Sequence, residues 1–240
     1  MILAPLLFLS LSVQADAKLF EAVRDGDIKL VKKSVIAGTD VNTLDNKGNS
    51  LLYNAVVNGR IEIAKWLIQK GANANQKNNF GAPILLTAAG SGYDELVIAL
   101  IKKGADVNAK FARYDNVSAL MLAAQDGHVK TVEILLRNGA EINSETSNGD
   151  TVLIAATARG NLKLVKMLVK KGAKINSRSE TGYSALFVAV SENNERMVSY
   201  LLGAGADPNV PDDNGDTALT LAKRIKNPEI ISLIEENGGK

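Results

Sequence analysis

The main constraint on the fold is a repeat that runs along the chain in steps of 33, 33, 35, 33, 33 and 33 residues. We call the residue at the start of each step its frame position. Leucine stands two residues after every frame position, and alanine stands five residues after it. Such periods are typical of repeat proteins, in which each unit buries its apolar face against its neighbours. The seven frame positions are Ala17, Ser50, Pro83, Ser118, Thr151, Ser184 and Thr217.

Each unit carries the pattern of two helices and a loop. The leucine and the alanine lie three residues apart, on one face of a first helix, and the small alanine lets a neighbouring helix approach closely. A second apolar stripe with i, i+3, i+4 spacing follows, as at Val165 and Leu168. Between the helices stands glycine in five units and Asn193 in the sixth, which predicts a left-handed turn.

A further glycine, such as Gly149 or Gly182, marks the hairpin loop in five of the six connections between units. The sequence therefore predicts an all-α solenoid of seven helix-turn-helix units with connecting β-hairpin loops. The second helices of the two end units interrupt this apolar stripe. Ser34 stands where other units have leucine, and Glu235 stands where other units have an apolar residue. A terminal unit has one outer face in water, so we expect both end units to be polar caps.

Several segments of the chain match a known repeat pattern. They are "DNKGNSLLYNAVVNG", "SNGDTVLIAATARG", "DDNGDTALTLA" and "GADVN" at Gly104. On these residues the chain resembles the ankyrin repeat family over about residues 18–240, and this range is expected to be a single domain. The departures are Pro83 at the usual threonine, Asn116 at the hairpin glycine, and no histidine at the first-helix histidine position. The resemblance implies protein binding through hairpin tips and the exposed side of the first helices.

Composition argues against several other classes of function. The 28 Lys and Arg and 26 Asp and Glu give a net charge of +2, which favours neither nucleic acid nor anionic lipid. There is no cysteine and only one histidine, His128, so thiolate chemistry is excluded and a catalytic triad or a zinc site is disfavoured. Neither a phosphate-binding glycine loop nor a complete calcium loop is present. We therefore expect a non-enzymatic protein with no metal and no cofactor.

The N-terminal segment "MILAPLLFLSLSVQADA" has a different character. An apolar run from Ile2 to Val13 precedes small residues at Ala15 and Ala17, which is the plan of a secretory signal. The run is shorter than the roughly 20 residues that a membrane-spanning helix needs. Residues 1–17 are predicted to be a cleavable signal peptide, cut after Ala15 or Ala17; the alternative is a buried cap of the fold. We expect a periplasmic protein with no stable membrane anchor, monomeric when free.

The 35-residue step lies in "NAKFARYDNVSAL", which runs from Asn108 to Leu120. Insertions in repeat proteins map to loops, often on the binding face, and Tyr and Arg are frequent interface anchors. The insertion therefore predicts a lengthened central finger. For Phe80 and Tyr183, packing against adjacent hairpins remains an alternative. The predicted partner-binding residues are Lys47, Phe80, Phe111, Arg113, Tyr114, Asp115, Asp126, Asp150, Arg159 and Tyr183.

An export signal on an ankyrin-like array predicts a periplasmic protein-binding module. The most specific interpretation is an inhibitor or self-protection (immunity) protein that uses its hairpin fingers and concave face. Its partner would be a folded envelope enzyme, such as a peptidoglycan hydrolase. The alternative is a periplasmic scaffold or assembly adaptor, or a secreted effector that binds host proteins.

Overall fold

The computed structural model of the protein describes residues 17–77 and 80–240. Met1–Asp16, and with them the predicted cleavage position Ala15, lie outside the described residues. Ala17 is exposed and belongs to a helical segment over residues 17–25. The signal peptide over residues 1–17 and the single domain over residues 18–240 therefore stay predictions.

Fourteen helices and two short strands form within the described residues, and the helices follow one another as seven pairs. This arrangement confirms the predicted helical repeat fold. The elements are α1 (residues 17–25), α2 (Ile28–Ile36), α3 (Leu51–Val57), α4 (Ile61–Gln69), α5 (Ile84–Gly90), α6 (Asp94–Lys102), β1 (Lys110–Phe111), β2 (Val117–Ser118), α7 (Ala119–Gln125), α8 (Val129–Arg137), α9 (Val152–Ala158), α10 (Leu162–Lys170), α11 (Ala185–Ser191), α12 (Glu195–Gly203), α13 (Ala218–Ile225) and α14 (Pro228–Glu236).

The helices group into two compact units that divide between Ala109 and Lys110. In the first unit α3 packs on α5, and α4 packs on both α2 and α6. In the second unit the first helices form a row, in which α7 packs on α9, α9 on α11 and α11 on α13. Each first helix of the second unit also packs on the second helix of its own pair.

The frame residues start the first helices. The hydroxyl of Ser118 accepts a hydrogen bond from the Met121 backbone N–H at 3.2 Å, and the hydroxyl of Thr151 accepts one from Ile154 at 3.3 Å. Ser50, Ser184 and Thr217 form the same cap. A free helix N-terminus leaves backbone donors without partners, so this hydroxyl explains the recurrence of Ser and Thr. Pro83 provides no side-chain cap to α5.

The repeated leucines and alanines form the core. The leucines two residues after the frame are at most 5% exposed, from Leu19 to Leu219. Alanines such as Ala123 and Ala156 are fully buried in the row of first helices. Burying one leucine side chain is worth roughly 1.5–3 kcal/mol. Inside each compact unit the core therefore consists of repeated contacts between helix pairs, as the spacing predicts.

The turns inside the pairs are left-handed, as the sequence predicts. Gly59 (φ 64°), Gly127 (φ 78°) and Asn193 (φ 51°) all have positive φ. In the last pair Lys226 takes this conformation with φ 64°, which the sequence pattern did not indicate. A lysine in the left-handed region is uncommon, because its Cβ crowds the backbone there.

Asparagine side chains tie neighbouring repeats together along several loops inside each compact unit. The Asn75 Nδ2 donates to the Gly104 carbonyl oxygen at 2.6 Å, and its Oδ1 accepts from the Asp106 N–H at 2.8 Å. The same pair of bonds recurs at Asn143, Asn176 and Asn209. These bonds satisfy loop backbone groups and fix the spacing of successive units.

Neighbouring hairpins approach closely at Gly182. Its φ is +81°, and a Cβ built there would lie 2.7 Å from the Asp212 Cα and 2.7 Å from the Asp213 N. Gly215 occupies the same position one repeat later, with φ +85°, and a Cβ there would meet nothing within 4 Å. The two glycines thus share the backbone conformation and differ in the space around them.

We expect Gly182→Ala to destabilise the protein more than Gly215→Ala does. Both changes place an alanine at positive φ, which costs about 1–3 kcal/mol, and only the first also forces two hairpin backbones apart. Urea unfolding followed by circular dichroism measures the difference. Equal midpoints for the two variants would contradict the close approach.

Candidate functional site

The two inserted residues add one rung to the third hairpin. Four other loops each form one isolated antiparallel bridge between residues six apart, namely Leu44–Ser50, Lys77–Pro83, Glu145–Thr151 and Arg178–Ser184. Here Lys110 pairs with Ser118, and Phe111 pairs with Val117 inside that pair. One rung lengthens a strand by about 3.3 Å. Residues 110–118, called the finger below, therefore extend further than an unmodified hairpin, as predicted.

The tip of the finger turns through two left-handed residues. Asp115 has φ 47° and Asn116 has φ 53°. The Tyr114 N–H donates to the Phe111 carbonyl at 3.0 Å, and the Val117 N–H donates to the Tyr114 carbonyl at 2.9 Å. Asp and Asn tolerate this conformation better than other non-glycine residues. This explains how asparagine replaces the glycine of the other hairpins.

The finger is held by the hairpin that follows it. The Ser147 N–H donates to the Asp115 carbonyl at 2.8 Å, and the Asn116 Nδ2 donates to the Ser147 Oγ at 2.9 Å. At the base, the Lys110 Nζ donates to the Glu145 carbonyl at 3.4 Å. A loop fixed in this way loses little entropy when a partner binds.

The aromatic residues of the loops differ in exposure. Tyr114 is 56% exposed and stacks on the half-buried Phe111, with ring centroids 6.4 Å apart. Tyr183 is 39% exposed and stacks on Phe187 of its own first helix, 4.8 Å between centroids and 9° between planes. Phe80, in the first compact unit, is 59% exposed. Tyr183 therefore packs partly on a helix, while Tyr114 and Phe80 are more exposed.

A cleft of about 520 Å³ lies between the hairpins and the first helices of the second unit. Tyr114 and Tyr183 belong to its hairpin side. Met121 of α7, Ile154 of α9 and Val188 of α11 belong to its helix side. The cleft thus combines an apolar base with two aromatic rings.

Three charged residues also line the cleft: Asp115, Asp150 and Arg159. Desolvation, and then the negative charge of Asp115, raises the pKa of the Asp150 carboxyl above its ordinary value. Among the described residues, neither carboxylate forms an ion pair with Arg159 or with any other cationic group. The cleft therefore holds two negative charges without a close positive partner.

The family of the chain follows from comparison with known proteins. A family model described as "Ankyrin repeats (3 copies)" matches residues 19–111 and 120–212. The chain belongs to the ankyrin repeat family. Ankyrin repeats are protein–protein interaction modules, and the fold is typically non-enzymatic. A comparison with curated proteins found no match.

Solved ankyrin repeat structures resemble this ankyrin repeat protein over nearly its whole length. The ankyrin repeat domain of human ASB11 is 27% identical, with a TM-score of 0.80, and the match covers 92% of this chain and 98% of that one. The ankyrin repeat domain of Bcl-3, a member of the IκB protein family, is 26% identical, with a TM-score of 0.77. That match covers 90% of this chain and 97% of the other.

The structure brings half of the predicted binding residues into one place. The cleft is lined by Tyr114, Asp115, Asp150, Arg159 and Tyr183. The other predicted residues lie outside it: Phe111 and Arg113 in the finger, Asp126 exposed at the end of α7, and Lys47 and Phe80 in the first compact unit. The predicted binding role of all ten residues stays a prediction.

The apolar residues on the helix side of the cleft were not among the predicted residues. Met121 and Ile154 stand three residues after their frame positions, where family members often carry histidine, and Ala158 stands seven after. Positions three, four and seven residues along a helix share a face, so this spacing marks the side that faces the hairpins. Applying that periodicity to the first helices would have identified these residues.

Within residues 17–77 and 80–240, no three His, Asp or Glu side chains group together so that they could hold a metal ion. In the same part of the chain, no helix is long and apolar enough to cross a membrane.

We expect Asp150→Asn to raise the melting temperature of the free protein at pH 7. A carboxyl whose pKa is raised by folding destabilises the folded state when ionised, so its unfavourable effect grows as pH rises through the raised pKa. Below its ordinary value of 3.8 the carboxyl is protonated in both states, and the gain should vanish.

Thermal unfolding of wild type and variant at pH 7 and pH 3 checks this expectation. Glu180→Gln, an exposed carboxylate in the next hairpin that does not line the cleft, is the matched control. An equal gain at both pH values, or an equal gain from Glu180→Gln, would contradict an electrostatic origin in the cleft.

Proposed function

We propose that this ankyrin repeat protein binds a folded protein through the finger and the adjoining cleft. The observation that carries the proposal is the added rung, which lengthens a finger that carries the exposed Arg113 and whose exposed Tyr114 lines a partly apolar cleft. A tyrosine left 56% exposed forgoes burial that an interface would supply. The hydrogen bonds to Ser147 hold the finger in place before binding, which supports a preformed site.

We further propose that the protein is exported to the periplasm and acts there as an inhibitor or immunity protein. The support is the signal-like pattern of residues 1–17 together with a protein-binding fold. A finger next to a cleft suits insertion into, or coverage of, the active-site cleft of an enzyme. Enzymes that cut peptidoglycan are the proposed targets, because a cell that exports them must protect its own wall.

The binding site is tested with Arg113→Ala/Tyr114→Ala, which leaves the half-buried Phe111 in place. We expect the variant to lose at least about tenfold in affinity for a protein captured from envelope extract by the full chain, because central Tyr and Arg anchors are commonly worth about 2 kcal/mol or more. Arg196→Ala/Tyr200→Ala removes the same residue types from α12 and should leave affinity unchanged.

Calorimetric titration of the captured protein against the wild type, the finger variant and the α12 variant measures these affinities. Equal affinity of the finger variant and the wild type would place the binding site elsewhere. Loss of affinity in both variants would indicate a general effect on the fold, which thermal unfolding would reveal.

The compartment and the mode of action need a separate experiment. We expect a phosphatase that is active only after export to be active when fused to the full chain, and inactive when residues 1–17 are deleted. In the second arm, the full chain should reduce the rate at which a captured hydrolase releases muropeptides from purified peptidoglycan. Unchanged turnover with tight binding would favour a scaffold over an inhibitor.

A further inference from the structure

We propose that the cleft between Tyr114 and Tyr183 binds the guanidinium group of an arginine side chain on the partner protein. This assignment rests on the proposed protein-binding function and specifies the chemistry of the group that the partner inserts. It follows from the shape, the ring chemistry and the charge of the cleft.

The shape admits a long side chain. The cleft has a volume of about 520 Å³, larger than one arginine side chain needs, so the residue can enter with part of its backbone segment. Its base carries Met121, Ile154 and Val188, which can cover the aliphatic stem of an arginine. Tyr114 and Tyr183 line its hairpin side, and the flat guanidinium stacks on aromatic rings.

The charged residues that line the cleft favour a cationic group as its ligand. Asp115 and Asp150 contribute two negative charges and Arg159 contributes one positive charge, which leaves the cleft with a net charge of −1. Desolvation, and then the charge of Asp115, raises the pKa of the Asp150 carboxyl, so a nearby cation would favour its ionised form. An incoming guanidinium would offset the repulsion between the two carboxylates and donate hydrogen bonds to them.

Other occupants fit the cleft less well. An apolar side chain would remove more water from Asp115 and Asp150 without supplying hydrogen bonds, which is unfavourable. A carboxylate or phosphate would meet the two negative charges at close range. Lysine carries the same charge as arginine, but its strongly hydrated ammonium lacks the planar fork that matches both aromatic and carboxylate groups.

The test uses small mimics of the side chain, so it does not require the partner. Butylguanidinium, butylammonium and the neutral isostere butylurea are titrated into the ¹⁵N-labelled full chain and followed by NMR. We expect butylguanidinium to give saturable shifts centred on Tyr114, Asp150 and Tyr183, with an affinity at least about tenfold higher than that of butylurea. Butylammonium should bind more weakly than butylguanidinium.

Variants identify the groups responsible. Asp115→Asn and Asp150→Asn should each weaken butylguanidinium binding at least about threefold, within the range for partly exposed charge pairs, while Glu180→Gln should not change it. The spectra themselves show whether each variant is folded. The assignment is overturned by equal binding of butylurea, by equal or tighter binding of butylammonium, by shifts that do not saturate, or by insensitivity to both aspartate changes.

This result is separable from that of the capture experiment. If the mimics fail to bind and Arg113→Ala/Tyr114→Ala still loses the partner, the arginine assignment is wrong and the proposed function stands. If the mimics bind as expected and the wild type captures no protein, the cation site stands and the proposed function fails.

Discussion

Within each compact unit, helix pairs bury their leucine and alanine faces against neighbouring pairs, because a single pair could not remove that face from water by itself. Leu120, Leu153 and Leu186 are at most 1% exposed in a row of first helices whose alanines are fully buried. Because the contact is repeated, the spacing of the units is set by side chains only three residues apart in the sequence. The positions of the loops then follow from the positions of the helices.

The hairpins of the second compact unit form a continuous line because the helices below them are evenly spaced. The Ser147 N–H donates to Asp115, the Glu180 N–H donates to Asn148, and the Asp213 N–H donates to Thr181, at 2.8–3.2 Å. The close approach at Gly182 is part of the same line. A rigid support of this kind lets the finger gain one rung without losing its orientation, which suits a recognition site.

The electrostatics of the cleft oppose the stability of the free protein. Asp150 is held where desolvation and Asp115 both disfavour its charge, although an asparagine would fill the same space. Proteins commonly retain such groups where binding requires them, at some loss of folding stability. The unfavourable negative charge of Asp150 is the reason both for the expected stabilisation by Asp150→Asn and for the proposed cation site.

The sequence by itself determined the repeat, the helix pairs, the capping hydroxyls and the left-handed turns, because these depend on residues within one 33-residue period. It also located the finger, since a two-residue insertion between paired strands can only lengthen or deform the hairpin. The tertiary structure decided which residues of different repeats come together, because the spacing within one repeat does not determine those contacts. Asp115 and Asp150 lie 35 residues apart, and only the stacking of two units brings their charges close enough to interact. The same stacking assembles the cleft from three first helices and their hairpins, and it leaves Tyr114 exposed while Phe111 beside it is half-buried.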